Sequence, residues 1–398
     1  MFGRIFNNIG PATLIAAAFV GPGTVTICTL AGANYGYSLL WAMLLSVFAT
    51  IILQEMAARL GLITGKGLPE ILRVAIASKL IRITLIILVL AAIAIGNTAY
   101  EAGNLSGGVL GLQIIFGQHW YFPLLLGIIA FGLLFYGNYK VLEKVLITLV
   151  VVMGISFIAT AIAIGPDVTK IFEGLFTPKI SSNNILTILG LIGTTVVPYN
   201  LFLHASLVSE KWKKKSDLHA VRKDTIISVV LGGLVSMSII IAATALQGSK
   251  VSNGAALAEA LEPIYGSWST YIFSIGILAA GITSAITAPL AAAYVVKGCL
   301  GWKGNMKSWS FRAVWMFILI VGIICSSIGL KSLDIITFAQ IANGLLLPII
   351  AMVLLWLVNQ KLLGQFMNNL WQNIIAFVVI LIAVGLGAKT LLKVFEVI

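Results

Sequence analysis

Val20-Gly21-Pro22-Gly23-Thr24 and Thr194-Thr195-Val196-Val197-Pro198-Tyr199-Asn200 are the two stretches on which the fold turns. Each stands inside an apolar segment, residues 11–30 in one case and 185–208 in the other. A proline there deletes a backbone donor and clashes one turn back, and the glycines around Pro22 let the chain unwind further. In a membrane, backbone leaves helical hydrogen bonding only where protein or a water-filled cavity satisfies it. Packing kinks would use the same prolines, so the positions of the two breaks in the chain carry the decision.

The surrounding residues call for a bilayer. Of 398 residues, 60% are hydrophobic and 10% charged, with a mean hydropathy of +1.07. A soluble domain is about a quarter charged, and this chain would expose too much apolar surface in water. Soluble enzymes, disulfide scaffolds and disordered chains are excluded. Cys28, Cys299 and Cys325 lie in or beside apolar runs without metal-ligand or disulfide spacing, and read as buried thiols. The first apolar segment continues as a span, so no cleavable signal is expected.

Eleven apolar segments are legible: residues 11–30, 38–57, 83–112, 121–136, 141–164, 185–208, 226–246, 268–300, 314–330, 335–357 and 371–392. A spanning helix takes about 20 residues, so eleven fit with short loops. With the N-terminus inside, only Lys170, Lys179, Lys250, Lys331, Lys389 and Lys393 of the 25 Lys and Arg residues fall on the opposite side. The positive-inside rule then predicts a cytoplasmic N-terminus and an external C-terminus, in a cell (inner) membrane. Lys213-Lys214-Lys215 is read as part of that signal, with an anionic-lipid site as the other reading. The net charge of +12 is thus a matter of topology, not of nucleic acid.

The first and sixth segments open two halves of five spans, and an odd number per half inverts one half relative to the membrane. Interruptions at matching points of inverted repeats mark a midplane transport site. The expected fold is therefore an all-α integral membrane protein. Repeat one covers about 9–165, repeat two about 184–358, and an extra helix about 370–396.

Several motifs follow in order along the chain. They are Gly10-Pro11-Ala12, the Gly-Pro-Gly break, Ala31-Gly32-Ala33-Asn34-Tyr35-Gly36-Tyr37-Ser38-Leu39-Leu40-Trp41 and Ala58-Arg59-Leu60-Gly61-Leu62-Ile63-Thr64-Gly65. Pro198-Tyr199-Asn200-Leu201-Phe202-Leu203-His204 comes next, then Ala280-Gly281, Thr283-Ser284-Ala285-Ile286-Thr287, Gln340 and Leu347-Pro348. On these residues the chain resembles the NRAMP family of proton-coupled divalent-metal transporters. The resemblance implies a LeuT-like fold with eleven spans, metal ion transport and symport with protons.

In that family the first break reads Asp-Pro-Gly-Asn and the second Met-Pro-His. The aspartate, asparagine and methionine side chains hold the ion, helped by a carbonyl three residues before the methionine. The matching positions here are Gly21, Thr24, Val197 and Tyr199, with the carbonyl of Thr194. Anionic oxygen and soft sulfur, which strip and select transition metals, are missing from this set. The expected binding residues are Gly21, Gly23, Thr24, Thr194, Val197, Tyr199, Asn200 and Gln340. They supply backbone N–H groups at a half-helix start, carbonyls and neutral side chains. This lining suits a small polar organic solute (amino-acid-like, or a small acid), or an ion that keeps part of its hydration shell, better than bare Mn²⁺ or Fe²⁺. No resident metal or cofactor is expected.

Ionisable residues at membrane depth are functional hypotheses in their own right. Asn97, Glu101, Asn104 and Gly108 recur at helical spacing and form one stripe, predicted to face the bundle interior. Glu101 falls on an acidic, proton-conducting position of the resembled family, and Asn104 replaces a glutamate there. The proton pathway is expected to comprise Glu101, Asn104 and His204; a static carboxyl and a packed histidine are the other readings. Lys211 matches a basic position near the inner mouth. Glu55 and Arg59 are spaced for a helix-end ion pair. Thr283, Ser284, Thr287, Gln340 and Asn343 are expected as pocket walls or as interhelical hydrogen-bonding groups.

Alternating-access transport is the predicted activity. There is no repeated filter motif for a channel and no nucleophile–base pair for an enzyme. A sensor that binds without transporting is the remaining alternative.

Overall fold

The computed structural model describes residues 20–76, 78–137, 140–248, 251, 253–303 and 306–394. Arg4, Gly10-Pro11-Ala12, the N-terminal part of the first predicted span, Lys250 and the last four residues lie outside these. The described chain is helical, without strands. The helices are α1 (Pro22–Tyr35), α2 (Leu40–Thr64), α3 (Leu68–Ala75), α4 (Lys79–Phe116), α5 (Phe122–Tyr136), α6 (Lys140–Ala163), α7 (Val168–Phe176) and α8 (Ile185–Thr195). They continue with α9 (Pro198–Lys211), α10 (Leu218–Ala242), α11 (Gly254–Ala258), α12 (Glu262–Tyr265), α13 (Ser269–Leu300), α14 (Trp309–Ser326), α15 (Ser332–Val358) and α16 (Leu370–Val394).

Among the described residues nine helical runs are long and apolar enough to cross a membrane. The first run, Pro22–Thr64, holds α1 and α2 together. The fourth predicted span, α5, is shorter, at 15 residues. Every apolar segment expected from residue 38 onward carries a helix. Apolar side chains line both the core and the outside: Leu124, Ile128, Val152, Ile155 and Leu231 are exposed. A soluble protein would bury that surface, and in a bilayer lipid covers it.

The short helices α3, α7, α11 and α12 were not legible as apolar segments, being too short to span. α3 buries Leu68, Pro69, Ile71 and Leu72 and points Arg73 outward. It docks on the C-terminal end of α13. α7 starts on Asp167, whose carboxylate accepts from the backbone N–H groups of Thr169 and Lys170.

α4 runs through the centre, packed against α13, α15 and α14. α8 crosses α15 so tightly that a β-carbon on Gly193 would stand 1.9 Å from the carbonyl oxygen of Gln340. Only glycine permits that approach. This crossing brings Gln340 beside the start of α1 and the break in the sixth span.

Candidate functional site

Each break now has a geometry. α8 stops at Thr195; Val196 (φ −94°, ψ 71°) and Val197 (φ −75°, ψ 120°) are non-helical, and α9 starts at Pro198. Pro198 occupies the first helical position, where its missing N–H costs nothing. The sixth span is therefore two helices, not one kinked rod. In the first span, Gly21 is extended (φ −82°, ψ 176°) and α1 begins at Pro22. What precedes residue 20 lies outside the described residues.

The start of α1 and the end of α8 meet. Thr24 Oγ1 and Thr194 Oγ1 lie 2.7 Å apart, fully buried, so that one hydroxyl donates to the other across the junction of α1 and α8. Gln340, also buried, lays its amide nitrogen on the bare backbone of Gly23, and its Oε1 has no partner among the described residues. Asn200, in the first turn of α9, is fully buried with neither amide atom paired among the described residues. Buried amides of this kind are able to bond water or a ligand. Val197 is packed in the apolar core, and its carbonyl accepts from the N–H of Asn200 at 3.1 Å.

Tyr199 extends the site sideways. Its ring meets Tyr100 of α4 edge-on, with centroids 5.3 Å apart. The neighbour of Tyr100 is Glu101, completely buried, with Asn104 Nδ2 at 3.5 Å from Oε2 and no partner for Oε1 among the described residues. The Glu101 side chain rests on Gly322 of α14. The stripe faces inward as its spacing predicted: Asn97, Glu101, Asn104 and Gly108 are all buried. Asn97, however, donates to the carbonyl of Ala288 at 2.8 Å and so ties α4 to α13.

Other expected residues sort differently. His204 Nδ1 lies 2.6 Å from Gln54 Oε1 on α2, so the hydrogen-bonded partners of His204 and of Glu101 belong to different helices. Gln54 escaped the sequence reading, although a glutamine inside an apolar span was a visible signal. Thr195 bonds back to Leu191 O and to Met43 Sδ of α2, away from the Thr24 pair. Thr283 and Thr287 return their hydroxyls to their own helix, while Ser284 and Asn343 are buried with an unpaired polar atom among the described residues. Glu55 and Arg59 form the expected ion pair at 3.1 Å, joined by Arg222 at 2.8 Å.

The donors around the break are hydroxyls, amides and carbonyls. Among the described residues no group of three or more His, Cys, Asp or Glu gathers to hold a metal ion.

Comparison with known proteins puts this arrangement in context. The family model described as natural resistance-associated macrophage protein-like (Nramp) matches residues 12–393. A relative from Nostoc sp., named divalent metal cation transporter MntH, is 30% identical over 98% of this chain and 91% of its own length. Among solved structures, the Eremococcus coleocola manganese transporter superposes with a TM-score of 0.77 at 20% identity, over 96% of this chain and 85% of that one. MhsT, solved with L-phenylalanine, has a TM-score of 0.61 at 17% identity, over 94% and 98% of the two chains. The fold shared with both structures is LeuT-like.

Proposed function

Because the chain belongs to the Nramp family, matched along nearly its whole length, we propose that this membrane transporter carries a divalent metal cation by alternating access, the ion keeping part of its water. The observation that carries the reading is the Thr24–Thr194 hydroxyl pair at 2.7 Å, which joins the start of α1 to the broken sixth span where a cargo would sit. Relatives along the full chain named for divalent metal cations support the cargo class. Neutral oxygens at the breaks support a hydrated form: Mg²⁺-like ions part from water reluctantly, and uncharged ligands replace only some of it. The candidate ligands are the hydroxyls of Thr24 and Thr194, the amides of Asn200 and Gln340, and the carbonyls at Gly21 and Thr194, with Gly23, Val197 and Tyr199 shaping the wall.

Transport proceeds by rocking one set of helices against another around the breaks, with five-span inverted repeats at about 9–165 and 184–358. Glu101 takes up and releases the coupling proton, with Asn104 beside it; His204, held by Gln54, is a second proton-binding group. The distribution of Lys and Arg supports a cytoplasmic N-terminus and an external C-terminus. The organic solute suggested by the neutral lining, and the alternative of a non-transporting sensor, find no support in these relatives.

Uptake into proteoliposomes tests the reading. Mn²⁺, Mg²⁺ and Ca²⁺ are offered with and without an inward acid gradient, beside a small amino-acid and organic-acid panel. At least one divalent ion should accumulate faster under the gradient. Accumulation of an organic solute alone would overturn the cargo, and ion binding without uptake would overturn transport.

A further inference from the structure

We propose that the cleft between α2, α10 and α16 seats one anionic phospholipid, its headgroup phosphate held by Arg222. The cleft has a volume of about 250 Å³ and is lined by Ile51, Ile52, Ile226 and Ile375 together with Glu55, Arg59 and Arg222. The order of these residues is informative. Glu55 and Arg59 stand in the C-terminal half of α2, and Arg222 in the first turns of α10. The isoleucines lie roughly a turn deeper, at 51, 52, 226 and 375, so the charges are at the membrane edge and the apolar walls run inward. Ile226 and Ile375 are exposed toward lipid.

The charges there are unequal and unequally used. Arg59, 2% exposed, spends its Nε on Glu55 and its terminal nitrogens on the carbonyl of Phe366 and Oδ1 of Asn368. Arg222, 41% exposed, spends only its Nε on Glu55, at 2.8 Å. Among the described residues its two terminal amino groups donate to nothing. One carboxylate facing two guanidinium groups leaves a cation over, and a free guanidinium fork matches two phosphate oxygens. An apolar cleft below such a fork matches the rest of a phospholipid and has no use for free phosphate. The same end carries Lys213, Lys214, Lys215, Lys223 and Lys361, which the positive-inside rule assigns to the cytoplasmic leaflet, where anionic lipids attract basic segments. The seat borders α16, so the lipid would bridge the extra helix to α2 and α10.

The test uses the full chain purified in detergent, with native mass spectrometry and thermal melting after addition of phosphatidylglycerol, phosphatidylcholine or inorganic phosphate. Phosphatidylglycerol should be retained and should raise Tm more than phosphatidylcholine, and phosphate should do neither. Arg222→Gln should weaken phosphatidylglycerol retention about tenfold and leave phosphatidylcholine behaviour unchanged. Ile375→Trp, which fills the cleft and keeps every charge, should do the same, and it decides the matter if Arg222→Gln fails to fold. Lys303→Gln, a charge removed elsewhere, should have no effect. Equal retention of the two lipids by the unmodified protein, an unaltered preference in the cleft variants, an equal loss in Lys303→Gln, or a phosphate effect matching that of the lipid would each overturn the proposal.

Discussion

Gln340 of α15 presses against Gly23 of α1 so closely that a β-carbon on the glycine would stand 2.0 Å from Nε2. The contact couples the first break to the tenth span through a residue with no side chain to yield. Gly23→Ala should therefore turn the flexible Gln340 amide aside at little cost in stability, and slow uptake by moving that amide off the site. Gly132→Ala, at a position with nothing within 4 Å of its β-carbon, should be neutral or slightly stabilising in the same melting assay.

The hydroxyl pair makes a second prediction. Thr24→Val or Thr194→Val leaves a buried hydroxyl short of its partner and should cost about 1–3 kcal/mol. The double variant should cost less than the sum of the two, because both single changes break the same Thr24–Thr194 hydrogen bond. Additive losses in a double-mutant cycle would show that the pair is not coupled.

Glu101→Gln keeps the shape and removes the titrating group. Uptake driven by the ion gradient alone should persist, while its stimulation by an inward acid gradient should vanish. Among the described residues the titratable neighbours are Tyr100 beside it on α4 and Tyr199, which packs on Tyr100 from α9. Acid stimulation equal to that of the unmodified protein would remove Glu101 from the mechanism.

Arg59 ties α2 to the segment before α16 through Phe366 O and Asn368 and also pairs with Glu55. Arg59→Ala should lower stability by about 1–3 kcal/mol, since removal takes the donors from three part-buried acceptors at once. Arg59→Lys should rescue little, because a single ammonium lacks the fork that reaches all three. Melting temperatures of the three proteins read this directly.

Asp167 caps α7, and the backbone N–H of Lys170 is the main cause that holds its carboxyl below the usual carboxylate value. A depressed folded value means the cap stabilises the helix above the ordinary carboxylate pKa and ceases to do so as pH falls through the lower, folded value. Hydrogen exchange at residues 169–171 should therefore quicken at acid pH in the unmodified protein beyond the intrinsic pH effect. In Asp167→Ala it should be fast at every pH.

The candidate site was legible in part. Pro198, set between Val197 and Tyr199, announced a break because a proline's lost donor is a local property, and α8 and α9 part there. The four-three-four spacing from Asn97 to Gly108 announced a buried stripe, since helical periodicity alone puts those residues on one face. The fate of individual polar groups was less accessible. Thr283 and Thr287 had the right composition for a pocket wall, but a threonine in a helix can satisfy itself on its own backbone, as both do.

From the amino-acid order alone came the bilayer, the broken sixth span, the inward-facing carboxylate and the family resemblance, all consequences of apolar length, proline chemistry and helical period within one segment. Tertiary structure alone decided which polar groups touch: Thr24 with Thr194 across 170 positions, His204 with Gln54 across 150. Periodicity names the face a residue occupies but not the helix that faces it. That pairing depends on how closely two helices cross, and here bare glycine backbone lets Gln340 close in on Gly23 and on Gly193.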